Sequence, residues 1–107
     1  MNQTITPGFY YHYKHKEEEG VEHYAYEVVG FGLHTEIDNE SDAKIAIYRP
    51  LYESANVYEM GKMYYLRPYS MFADEVTKDG VTRLRFERIT NPELISHLES
   101  VRNRMYQ

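Results

Sequence analysis

Hydrophobic positions alternate with polar ones along most of this chain and then change period once, near residue 90. Phe9 to Lys14 opens after Pro7-Gly8 and is rich in β-formers. Its two faces are Phe9, Tyr11, Tyr13 and Tyr10, His12, Lys14. His15 to His23 is a charged connection with three consecutive glutamates, Glu17 to Glu19, and Gly20. Tyr24 to Leu33 is the longest predicted strand. One face carries Tyr24, Tyr26 and Val28, then Gly30 and Gly32; the other carries Ala25, Glu27, Val29, Phe31 and Leu33. The paired glycines point to a bend, a bulge, a close backbone approach, or relief of crowding in a small barrel. Asp38 to Asp42 is a turn cluster. Lys44 to Tyr48 is a strand stopped by Pro50, and Glu53 to Lys62 is a polar tip containing Gly61. Met63 to Arg67 is a strand stopped by Pro68, and Ser70 to Val76 is irregular with at most one helical turn. Lys78-Asp79-Gly80 marks a hairpin leading into a last strand, Val81 to Ile89.

The period then becomes helical. Thr90 or Asn91 is the cap, Pro92 lies in the first turn, and Glu93 meets the positive end of the helix dipole. Leu94, Leu98, Val101 and Met105 form one apolar stripe, widened by Ile95. A helix over residues 91–105 is marginal alone, so the stripe must be buried. Its cover is either the chain's own strands, the preferred reading, or a second copy of the chain in a homodimer.

Composition narrows the class. The 107 residues fit a single domain with one modest core, and 12 of the hydrophobic residues are tyrosines whose hydroxyls need partners. A formal net charge of −5 argues against bulk binding to nucleic-acid backbones, although a local basic patch stays compatible with it. There is no cysteine, which excludes disulfides, thiolate catalysis and Cys-based metal sites. Met1 to Pro7 does not read as a signal peptide and no apolar run reaches membrane-spanning length, so the expectation is a cytoplasmic protein with no membrane contact.

The candidate chemistry lies in two arginine-proline steps set among aromatics, Tyr48-Arg49-Pro50-Leu51-Tyr52 and Tyr65-Leu66-Arg67-Pro68, 18 residues apart. His12-Tyr13-Lys14 and His34-Thr35-Glu36 precede them. Held arginines fork onto carboxylates or phosphates, or stack on rings; they also lock folds through ion pairs, for instance with Glu36. Ligand-binding candidates are therefore His12, Lys14, His34, Glu36, Tyr48, Arg49, Tyr52 and Arg67, with His12, Tyr48, Arg49 and Arg67 expected on one shared face. His12, His34 and Glu36 are adequate ligands for a metal, but nothing in their spacing fixes a site, and no metal or cofactor is expected.

These motifs resemble the bacterial family catalogued as domain of unknown function 1653. Gly8, Tyr10, His12, Tyr13 and Lys14 match its opening. Tyr26, Val28 and His34-Thr35-Glu36 match its next block, with Thr for Ser, and Ile47, Tyr48, Arg49, Leu51 and Tyr52 the following one. Tyr65 to Pro68 with Met71 and Phe72, then Arg85-Phe86, complete it. The resemblance implies a mainly β fold, a small SH3-like antiparallel barrel over about 8–89, and no defined activity. Three features depart from the pattern: His15 with the acidic loop, the long tip with Glu53 in place of a glycine, and the helix after Ile89.

Three function classes follow. The leading one is a non-catalytic binding module whose Tyr/Arg/His face takes a peptide, a nucleotide or a small anion. The others are a small enzyme or accessory domain using His12 or His34, and a structural or oligomerisation module.

Overall fold

The fold is mainly β, with antiparallel sheets and one C-terminal helix; the computed structural model describes residues 3–38, 43–53 and 62–106. Five strands, β1 (Gly8–His12), β2 (Ala25–Leu33), β3 (Lys44–Pro50), β4 (Tyr65–Pro68) and β7 (Phe86–Arg88), form one sheet in the order β4-β3-β2-β1-β7. A ribbon of β5 (Glu75–Lys78) and β6 (Val81–Leu84) stands apart from it. Among the described residues no ladder joins β4 to β7, so the sheet stays open. The expected strand Val81 to Ile89 is broken at Arg85, whose amide leaves the ladder to bond the Asp74 carbonyl. The stretch read as irregular contains the helical turn α1 (Tyr69–Phe72) and then β5. The hairpin turn is formed at Asp79 (φ 53°) and Gly80 (φ 76°), as the Asp-Gly signal requires. Most of the expected Asp38 to Asp42 turn and Glu53 to Lys62 tip lies outside the described residues.

Each face of the sheet buries its own cluster. On one face Tyr10, Tyr26, Val28, Ala46 and Tyr48 pack on Phe72 and Phe86. On the other Phe9, Ala25 and Leu51 meet Leu98, Val101 and Met105 of α2 (Pro92–Met105). The chain's own sheet thus covers the predicted stripe. Asn91 is the cap: its Oδ1 accepts from the Glu93 amide at 2.9 Å and the Leu94 amide at 3.3 Å. Burying side chains of this size stabilises by about 1.5–3 kcal/mol each, which holds a helix that would be marginal alone.

One expectation about β2 needs correction. Register with β3 runs Val28 to Tyr48 and then Gly30 to Ile47, leaving Val29 unmatched in a β-bulge. The extra residue inverts the alternation, so Phe31, facing Ala46, joins the same core as Val28. Neither glycine is forced by a close approach. A Cβ at Gly30 would meet nothing within 4 Å, and one at Gly32 would make an ordinary 3.5 Å contact with Ile47.

Candidate functional site

The chemistry gathers around the ring of Phe86, brought beside β1 by the β1–β7 ladder. Phe72 stacks on it at 3.9 Å and 3°. His12 meets it edge-on at 5.1 Å, Tyr26 at 5.7 Å and Tyr48 at 5.8 Å, and the Arg67 guanidinium lies over the same ring at 5.5 Å. Arg67 reaches this place because β4 pairs it with Ala46, on the core face of β3. Its Nε donates to the Tyr48 hydroxyl at 3.2 Å. Among the described residues Arg67 has no carboxylate partner. Arg85 does, donating to Asp74 at 2.7 Å beside this group.

His12 is half-buried between Tyr13 (4.5 Å) and Tyr24 (5.4 Å). Burial, then the charges of Arg67, Lys14 and Arg85, lower its pKa to about 4. The ring is therefore neutral at pH 7. Its Nδ1 accepts the Lys14 amide at 3.2 Å, which places the proton on Nε2 as a donor. Nearby, the Tyr26 and Tyr52 hydroxyls bond each other at 2.7 Å, and burial pushes both phenols up. The result is a set of neutral or cationic donors over an aromatic floor, an arrangement suited to a small anion.

The expected single face is not formed. Arg49 pairs across the sheet with Glu27, on the helix side, and so points away from Arg67. Its Nε and Nη2 reach Glu27 Oε1 at 3.1 and 3.0 Å, and Arg102 of α2 takes Oε2 at 3.0 Å. The Arg49 guanidinium also lies 4.3 Å from the Tyr106 ring and 5.7 Å from Tyr64. Burial pushes the Tyr106 phenol up to about 12. Arg49 is consumed by the fold; its carboxylate partner is Glu27, not Glu36.

His34 and Glu36 are exposed at the far end of β2, roughly 30 Å along the strand from the level of His12. The Glu36 amide donates to His34 Nδ1 at 3.2 Å, closing a local turn. His12, Tyr48, Tyr52 and Arg67 are thus brought together, Lys14 stands at their margin, and Arg49, His34 and Glu36 are elsewhere.

A cleft of about 600 Å³ opens beside His12, between the 13–24 connection and the β5–β6 ribbon. Tyr13, Tyr24, Lys14, Lys16, Lys78 and Arg83 line it, with Glu19 and Asp79 as its acidic residues. Sequence reasoning missed this cleft, and missed Glu27. A lone glutamate in a strand of apolar and tyrosine residues was the available signal for Glu27. The cleft depends on a ribbon whose first strand did not stand out.

The sequence profile of the family described as "Protein of unknown function (DUF1653)" matches residues 8–88. The match runs through both clusters of site residues and stops short of α2. No curated protein and no solved structure matches the chain.

Proposed function

The chain belongs to the DUF1653 family, whose description assigns no activity, and from that premise we propose that it is a non-catalytic binding module for a small anionic ligand. Arg67 is the observation that carries this reading. It is a guanidinium fixed by Tyr48 and Phe86 and, among the described residues, left without a carboxylate, next to a neutral His12 that offers Nε2–H. A carboxylate or phosphate takes such a fork bidentately. Catalysis by His12 fits less well, because an imidazole held near 4 is a weak base at neutral pH, and His34 is too distant to assist it.

The finer architecture belongs to the same proposal. β6 runs into β7 with a break at Arg85 alone, so ribbon and sheet share one bent strand, as in an opened SH3-like barrel. No helix among the described residues is long and apolar enough to cross a membrane.

The test is thermal stability with inorganic phosphate, citrate and a tripeptide bearing a free carboxylate, on wild type and Arg67→Met. A ligand at 100 times its dissociation constant adds about 2.7 kcal/mol to the wild type. The reading fails if none of the three stabilises it, or if Arg67→Met keeps the effect.

A further inference from the structure

We propose that the cleft between the 13–24 connection and the β5–β6 ribbon is a separate site for a nucleoside phosphate. Lys14, Lys16, Lys78 and Arg83 converge on it from both walls, and none of them has a carboxylate ion pair among the described residues. Against them stand Glu19 and Asp79, so the lining is net positive on a chain whose net charge is −5. Four cations against two carboxylates leave a net positive lining that offsets much of a diphosphate's charge, and the Tyr13 and Tyr24 rings supply the aromatic surface on which a base stacks.

Both walls are already shaped. In the first, the Lys16 amide donates to His23 Nδ1 at 3.0 Å, His15 Nδ1 bonds the His23 carbonyl, and the Tyr11 hydroxyl donates to the Val21 carbonyl at 2.6 Å. In the second, Thr77 and Thr82 join hydroxyls across the ribbon at 2.8 Å behind the Asp79-Gly80 turn. Ligand entry therefore orders little chain, which favours affinity. About 600 Å³ suits a mononucleotide. A long nucleic-acid strand is disfavoured, since it would have to cross the Glu17–Glu19 run beside the cleft.

The cleft adjoins the Arg67 group through Lys14 and through Tyr13 and Tyr24, which flank His12, but neither Arg67 nor His12 lines it, so the inference does not rest on the anion reading above. Isothermal titration of ADP, GDP and UDP at low ionic strength, with adenosine and pyrophosphate as controls, tests it. At least one nucleotide is expected to bind more tightly than pyrophosphate, and adenosine to bind poorly. Lys78→Gln/Arg83→Gln should weaken that nucleotide about tenfold or more, the loss of charge-assisted bonds to phosphate. Both residues are exposed, so the melting temperature should hold. Should the ribbon variant fail to fold, Lys16→Gln on the opposite wall gives the same readout. Tyr13→Leu should weaken the nucleotide and leave pyrophosphate alone, and Arg67→Met should leave the nucleotide unaffected. No nucleotide binding, pyrophosphate binding as tight as any nucleotide, or charge variants that bind like wild type would each overturn the proposal.

Discussion

Arg49 and Arg67 stand on neighbouring strands and point to opposite faces of the sheet. Arg49 is matched with Glu27, and Arg67 with Ala46, three residues earlier on the same strand as Arg49. An odd offset in a pleated strand exchanges faces, so two similar motifs acquire different work. One arginine has a carboxylate, a second arginine across it and a stacking ring. The other has an aromatic floor and a phenol hydroxyl.

Their substitutions should therefore diverge. Glu27→Gln leaves two partly buried guanidinium groups without their shared anion and is expected to cost about 3 kcal/mol in urea unfolding. Arg49→Gln should cost a similar amount. Arg67→Gln should cost under about 1 kcal/mol, because no ion pair among the described residues is broken. Equal losses at Arg49 and Arg67 would contradict the division.

Leu98 is fully buried between helix and sheet. Leu98→Ala should lower stability by about 2–5 kcal/mol. The loss should be the same at every protein concentration, since the cover comes from the chain itself. A concentration-dependent melting temperature in the wild type would show a second copy contributing.

Gly8 has φ 152°, and an added Cβ would lie 2.6 Å from Arg88 Nη2. That guanidinium crosses the glycine to reach Thr6 Oγ1 at 2.8 Å, the Pro7 carbonyl at 3.1 Å and the Tyr10 hydroxyl at 2.9 Å. Gly8→Ala is expected to cost about 1–3 kcal/mol through backbone strain and displacement of Arg88. Arg88→Ala in the same chain should recover part of the loss. A double-mutant cycle with no coupling between the two positions would refute the steric account.

His12 gives a pH signature. Its folded-state pKa of about 4 lies below the ordinary histidine value of 6.5, so as pH falls the unfolded chain takes the proton first. Stability from this group is complete above 6.5 and is lost as pH falls toward 4. The slope cannot exceed about 1.4 kcal/mol per pH unit, and water around the half-exposed ring brings it well below that. Melting curves of wild type minus His12→Gln should show the loss confined to this window, and NMR titration should place His12 near 4. A His12 titrating near 6.5 would remove the desolvated environment.

Much of this arrangement was legible in the sequence because local rules carried it. Alternation marked β1 to β4, Asp79-Gly80 marked the ribbon turn, and the Thr90-Asn91-Pro92-Glu93 stretch marked the helix start. What escaped is non-local. The face taken by Arg49 depends on the register between β2 and β3, and no residue near Arg49 encodes it. A bulge was one reading of the paired glycines, but its place at Val29 and the faces it sets emerge only when Tyr48 and Ile47 are set opposite their partners. The break at Arg85 is made by the distant carbonyl of Asp74.

The bulge gives β2 one point at which its length can change without moving a face. Removing Val29 would leave Gly30 opposite Ile47 and Phe31 opposite Ala46 in unbroken alternation, so Phe31 would stay in the Tyr10–Phe72 core. An insertion in the 13–24 connection moves no face either, because turns separate it from the ladders. Among chains built on this plan, insertions and deletions should therefore collect in the connections and, as the loss of a single residue, at Val29.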